Sequence, residues 1–233
     1  DRYDAKLVRD IDGLHHYMAY LMPKRTDAEV YINEKIDVTE LLKYIKEKNA
    51  SGERKVTVFH CVISAVARTV KMRPLLNRYI SRKRFFDRNE ISLGFTAKKQ
   101  FSDHSEETLF VYRPKDNENV CSITDKLAPQ VAKMRKEKKG QSVDDILNIV
   151  KKLPRPIMSL FIGFMNFADL YGLMPKSFSR IDPNYCTVML SNLGSIKCDA
   201  VYHHLNNFGS TSIIMTIGEI HKEIMIDADG NQE

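Results

Sequence analysis

Seven histidines, four cysteines and the run Ser191-Asn192-Leu193-Gly194 are the groups in these 233 residues whose types and spacing bear on chemistry. Histidine moves protons at neutral pH better than any other side chain, so each one is read first as a base or a metal ligand. His203 and His204 are adjacent, so they cannot share one face of a strand, and no acid or further histidine stands at ligand spacing; they read as polar positions near a sheet edge. His15 and His16 carry no local pattern, and His60 opens an apolar helix, where a hydrogen-bonded core histidine is the plain reading. Cys61, Cys121, Cys186 and Cys198 are scattered with no CxxC pair, which argues against a zinc site or a disulfide framework and suits a reducing, cytoplasmic setting. The glycines form neither GxGxxG nor a P-loop, so the nucleotide fingerprints are absent. Ser191 and Asn192 follow an apolar run directly, which puts a hydroxyl and an amide at the end of a buried strand, where donors can converge. Read alone, those four residues are a strand-end turn.

The chain around these groups has the composition of a globular protein. Hydrophobic residues make up 43% and charged residues 28%, which excludes disorder over most of the length, and the size supports a full core without disulfide staples. A formal net charge of +6 is too sparse for a dedicated nucleic-acid binder. The opening Asp1-Arg2-Tyr3-Asp4 has no apolar stretch resembling a secretion signal and no initiator Met, which reads as a piece of a longer chain.

Hydrophobic spacing then assigns the elements. Val30, Ile32 and Ile36 alternate with charges, a half-buried strand signal. Asp37 and Glu40 form a capping-box pattern that starts a helix at Val38. Val56 to Val70 is apolar nearly all round, a helix buried on most faces that ends before Pro74. Ile91, Leu93, Phe95 and Ala97 alternate, and Thr108 to Tyr112 is rich in strand formers; a turn over 102 to 107 would join them. Ser122 to Lys139 reads as a helix disturbed by Pro129 and closed by Gly140, and Ser142 with Asp145 caps another that runs to Leu153. The basic run from Lys133 to Lys139 reads as a solvated helix end, with a phosphate-holding role as the rival. Ile157 to Met174 is strongly apolar but holds Gly163, Asn166 and Asp169, so a buried or channel-lining helix is favoured over a membrane span. Lys151, Lys152, Arg155 and Lys176 flank it and leave a membrane-surface contact open. Tyr185 to Leu190 and Ser212 to Gly218 read as buried strands, and Ile220 to Ile226 as an alternating one. Asp227 to Asn231 is a turn signal after that strand, which implies a returning partner beyond residue 233. The order implies an α/β (α+β two-layer sandwich) fold, a mixed sheet with helices packed on one face.

Several of these segments together resemble a known family. The run from Cys186 to Ile196, followed by Ile213 to Gly218, looks like the strand, SNLG-type turn and next strand in the catalytic domain of the acyltransferase components of 2-oxoacid dehydrogenase complexes. Chloramphenicol acetyltransferase is similar in the same fold. The N-terminal order matches as well: Asp10-Ile11-Asp12 and Leu14-His15-His16, then Ile36-Asp37-Val38-Thr39, then a helix ending in Arg73-Pro74-Leu75-Leu76-Asn77, which resembles the family's "hPxLN" segment.

The resemblance implies a coenzyme A-dependent acyltransferase, usually a homotrimer with its site between subunits, acting on acyl-CoA and a small-molecule acceptor with no metal. In such enzymes a histidine in HxxxDG deprotonates the acceptor and a Ser or Thr hydrogen-bonds the oxyanion; Ser191 matches the oxyanion donor. HxxxDG does not occur in this sequence, and Met225 stands where Asp229-Gly230 would require the histidine. That reads as one acyltransferase-like domain over 1–233 lacking its C-terminal strand and helix. His16 falls near the place where chloramphenicol acetyltransferase has an arginine supporting the motif's aspartate, a possible supporting residue here. Neither a lipoyl nor a subunit-binding domain is seen, which favours a free-standing protein. The rival from another class is a non-catalytic homologue acting as a binding or assembly module. Tyr20, Phe164, Phe167 and Tyr171 stay open between channel and core.

Overall fold

A computed structural model of the chain describes residues 1–98, 107–136 and 154–224. Strand β1 (Ala5–Leu7) leads into helix α1 (Gly13–Leu21), whose free N-terminal amides are met by Asp12, accepting from the His15 N–H at 3.1 Å. Helix α2 (Thr39–Asn49) starts one residue later than the capping pattern predicts, because Asp37 accepts from the Thr39 N–H at 2.8 Å from outside the first turn. Helix α3 (Val58–Met72) is capped by Thr57 and stopped by Pro74, which opens the 3-10 turn Pro74–Asn77. It is less enclosed than its composition suggests: Cys61, Ile63 and Val70 are buried, while Ala65, Arg68 and Thr69 face solvent.

Two sheets follow. Strands β2 (Arg78–Ser81) and β3 (Arg84–Arg88) form a hairpin that takes β1 on its other edge, in the order β1-β3-β2, all antiparallel. Strands β4 (Leu93–Lys98) and β5 (Glu107–Tyr112) pair antiparallel as their alternation predicts. Helix α4 (Val120–Lys136) tolerates Pro129 in its interior, and helix α5 (Arg155–Leu170) starts after Pro154 with Pro156 in its first turn, where the missing N–H costs nothing. The short helix α6 (Lys176–Ser179) leads to β6 (Val188–Asn192) and β7 (Ile213–Ile217). The second sheet runs β5-β4-β6-β7, with β4, β6 and β7 parallel to one another. Its core joins Leu93, Phe95, Tyr112, Val188 and Leu190 of the sheet to Ile63 and Val70 of α3 and to Ile123 and Leu127 of α4. The fold is therefore the expected mixed α/β class, with its strands divided between two sheets.

Two predicted strands are not formed among the described residues. Residues 29–36 join no ladder, and Val30, Ile32 and Ile36 are 83%, 78% and 77% exposed. Alternation makes a strand only where a neighbour offers free backbone groups. Here side chains hold the segment instead: Glu29 accepts from the Leu205 N–H at 2.6 Å, Tyr31 meets the Tyr202 ring edge-on at 5.5 Å, and Lys35 pairs with Glu223. Residues 220–224 likewise form no strand. The turn over 102–106, the basic helix end with Gly140, the helix from Ser142 to Leu153 with Lys151 and Lys152, and the tail from Met225 through Asp227–Asn231 lie outside the described residues. Among the described residues, no helix is long and apolar enough to cross a membrane.

Candidate active site

The strand end at Ser191 is assembled from four directions. Val188 and Leu190 point into the core, so the period of two puts Ser191 on the opposite face with Met189, and both are half-buried. Ser191 stands opposite Thr216 and Asn192 opposite Ile217 across the parallel β6–β7 pair. The chain then bends: the Leu193 N–H donates to the Ile217 carbonyl at 2.9 Å, and the Ser195 hydroxyl donates to the Asn192 carbonyl at 2.8 Å. A 3-10 turn over Gly194–Ile196 ends at Lys197, which adopts a left-handed φ of 57°. Among the described residues no hydrogen bond engages the Ser191 hydroxyl or the Asn192 carboxamide. The Ser191 hydroxyl thus sits at the strand end on the face away from the core with no partner among the described residues, while Asn192 projects to the other face.

The start of β6 is fixed by a contact that the sequence motifs explain in retrospect. Thr187 is fully buried; its hydroxyl donates to Asn77 Oδ1 at 2.7 Å and accepts from the Ser92 N–H at 3.1 Å. Asn77 closes the Arg73-Pro74-Leu75-Leu76-Asn77 segment, so that segment ties α3 to the strand that carries Ser191.

Strand β7 is placed by two arginines. Arg25 donates to the Thr211 and Gly209 carbonyls, and Arg88 donates to Ser210 Oγ at 2.9 Å, to the Tyr185 carbonyl at 3.2 Å and to the Ser210 carbonyl. Asp169 accepts from the Gly209 N–H at 3.3 Å, and the Asn184 carbonyl accepts from the N–H groups of Ser210 and Thr211. Burial pulls the Arg25 guanidinium down, and it pulls Arg88 down to about 10, which still leaves Arg88 charged at neutral pH. The same burial pushes the Tyr79 and Tyr185 hydroxyls up and the Cys186 thiol up to about 12, so all three stay neutral. Arg25 and Arg88 belong to no motif of the sequence, whereas Asn77 and Thr187 lie in the segments that carry the family resemblance, with nothing there to show that they meet. The only local signal was a charged residue closing the aromatic strand β3.

The histidines are dispersed. His16 lies exposed on α1 with its ring 5.3 Å from that of Tyr20, and no contact among the described residues joins it to Ser191. His15 pairs with Asp12 at 2.6 Å. His203 and His204 are exposed, off any strand, and each ring Nδ1 meets a nearby carbonyl, of His204 and Leu205 respectively. His60 departs from the expected hydrogen-bonded histidine: its Nδ1 is buried with no partner among the described residues, and burial lowers its pKa. Thr57 caps the first turn of α3 by accepting from the His60 backbone N–H at 3.4 Å. All four cysteines are free thiols. No group of three or more metal-ligating side chains exists among the described residues. Tyr20, Phe164, Phe167 and Tyr171 are exposed rather than core.

This architecture matches one family. The family model for the 2-oxoacid dehydrogenases acyltransferase (catalytic domain) matches residues 11–142, more than half of the chain, and the chain belongs to that family. Its members are acyltransferases. The matched stretch includes Asn77, Arg25 and Arg88 and stops short of Ser191. Solved structures of similar fold include a probable dihydrolipoamide acetyltransferase from Listeria monocytogenes, 15% identical, with a TM-score of 0.57 over 96% of this chain and 79% of that one. The dihydrolipoamide acetyltransferase of Azotobacter vinelandii is 14% identical, with a TM-score of 0.58 over 97% of this chain and 78% of that one. The cubic core of a pyruvate dehydrogenase multienzyme complex is 16% identical, with a TM-score of 0.55 over 97% and 77%. At these identities the likeness is one of fold. No curated protein sequence matches the chain.

Proposed function

We propose that this acyltransferase-family chain moves an acyl group from acyl-CoA to a small-molecule acceptor, as a single chloramphenicol acetyltransferase-like domain over 1–233 that works in the cytoplasm as a homotrimer. The observation that carries the reading is the Ser191 hydroxyl, which has no partner among the described residues and stands at the end of a parallel strand. Attack of the acceptor on the thioester carbonyl puts negative charge on its oxygen, and the Ser191 O–H donates to that oxygen without having to reorganise. The tetrahedral intermediate collapses with release of the coenzyme A thiolate, which takes up the proton that the acceptor gave. No side chain of residues 1–233 is assigned as the base that carries this proton, since no HxxxDG histidine is among them. The free cysteines support the reducing compartment, and the trimeric reading rests on the family resemblance.

Calorimetric titration with coenzyme A and acetyl-CoA tests the reading. Saturable binding at or below millimolar ligand is the expected result; no binding to the protein expressed from its native gene overturns it.

A further inference from the structure

The hairpin turn between β2 and β3 departs from the usual chemistry of such turns. Ser81 pairs directly with Arg84, which leaves a two-residue loop of Arg82 and Lys83 whose φ values are 50° and 60°. Positive φ at both positions is the requirement of a type I′ turn, normally met by Asn and Gly because other side chains are strained there. This chain places two long cations there and holds both against aromatic rings: the Arg82 guanidinium lies 4.0 Å from the Tyr171 centroid after α5, and the Lys83 ammonium 4.5 Å from that of Tyr20 on α1. Strain at a position whose side chains are then fixed in space is a recurring mark of a ligand site.

The turn borders a cavity of about 150 Å³, well above the roughly 15 Å³ that holds one water. Arg82, Arg84 and Ser81 supply its donors, Arg2 also borders it, and Tyr171 and Phe86 give it an apolar wall. Its charges do not cancel. Arg2 is spent on Asp4 and on Asp169, and the Asp1 carboxylate, which also faces the cavity, accepts from the Leu7 N–H. Among the described residues no hydrogen bond, ion pair or ring contact engages the Arg84 guanidinium, and Arg82 has only its aromatic partner. The Ser81 hydroxyl accepts from Arg2 at 3.4 Å and keeps its own proton to donate.

We propose that this cavity is an anion site for a phosphate monoester, with Arg82 and Arg84 gripping the phosphate oxygens, Ser81 donating, and Tyr171 and Phe86 flanking the organic part. Guanidinium forks match the several oxygens of a phosphate better than an ammonium does, and the apolar wall suits an ester over the bare ion. The site shares no residue with the strand end at Ser191 and stands independently of the acyl-transfer reading.

The test is calorimetric titration of the whole protein with phenyl phosphate and with inorganic phosphate at low ionic strength. Phenyl phosphate is expected to bind, more tightly than inorganic phosphate. Arg84→Gln should weaken it by about tenfold or more, whereas Lys46→Gln on the exposed face of α2 should leave it unchanged. Thermal melting of Arg84→Gln at the wild-type temperature shows that the loss is not one of folding. Co-sedimentation with phosphatidate vesicles separates the sources: an Arg84-dependent pellet assigns the site to a lipid headgroup, and no pellet with phenyl phosphate binding intact assigns it to a soluble ester. Absence of saturable binding at millimolar phenyl phosphate, or equal weakening by Arg84→Gln and Lys46→Gln, overturns the proposal.

Discussion

Gly194 and Gly218 pack backbone to backbone: a Cβ at Gly194 would lie 2.5 Å from the Gly218 carbonyl oxygen, and a Cβ at Gly218 would lie 2.6 Å from the Ala200 nitrogen. Three chain segments therefore touch with no side chain between them, immediately after the strand that carries Ser191. Because the obstacle is backbone, it cannot swing aside. Gly194→Ala should cost about 1–3 kcal/mol in urea unfolding, and acyl transfer should fall further than the folded fraction does. Wild-type stability in this variant would show that the close approach is not needed.

Ser191→Ala removes one hydroxyl that has no partner among the described residues, so melting should stay within about a degree or two of the wild type. Turnover with acetyl-CoA should drop by about 10²–10³ if the hydroxyl meets the oxyanion. A steady-state assay that finds unchanged turnover removes Ser191 from the chemistry.

Arg88 stacks on Tyr79 at 4.4 Å while holding Ser210 and Tyr185. Its replacement by leucine takes the Arg88 donor from the Tyr185 carbonyl and leaves the Ser210 carbonyl only the Ser212 hydroxyl at 3.3 Å, and the expected loss is about 2–4 kcal/mol by chemical denaturation. Arg88→Lys should recover little, because one ammonium cannot reach both Ser210 and Tyr185 in the fork geometry. Full recovery by lysine would mean that charge alone matters there.

Burial lowers the pKa of His60 from the ordinary 6.5. A base whose folded pKa is depressed contributes stability that is complete above 6.5 and is lost as pH falls through the folded value, because the unfolded chain binds the proton first. His60→Gln should therefore flatten the fall of the melting temperature on acidification below neutral pH. Parallel curves for variant and wild type would rule the residue out as a contributor.

Three of the four thiols should separate by reactivity. Cys198 is exposed, whereas Cys186 is buried with its thiol pushed up to about 12 and Cys61 is buried with its thiol raised. A thiolate-selective reagent should label Cys198 quickly and reach Cys61 and Cys186 only on unfolding. Mass mapping that finds Cys186 labelled as fast as Cys198 would contradict the burial.

Local chemistry was legible wherever it depends on neighbours in the chain. Asp12 and Thr57 announce their helices, Pro74 its stop, and the alternation from Ile91 to Ala97 its strand, since caps, ring constraints and the period of two act within a few residues. The oxyanion candidate was legible through the order of short motifs. The alternation at Val30, Ile32 and Ile36 misled because it reports which face seeks burial and not whether a ladder partner exists. Arg25 carried no signal and Arg88 only its place at the end of an aromatic strand, because their partners lie more than a hundred residues away in the loop before β7.

The sequence by itself determined the class of fold, the family and the place of the strand-end turn, because hydrophobic period and motif order are properties of the chain. Only the tertiary structure decided that Asn77 steadies Thr187 at the root of β6. It alone set two half-buried arginines against the loop that leads into β7, and it alone brought Arg82 and Arg84 to the lining of one cavity. Such relationships join residues whose approach is governed by packing and by the need to satisfy buried polar groups, and no local pattern encodes either.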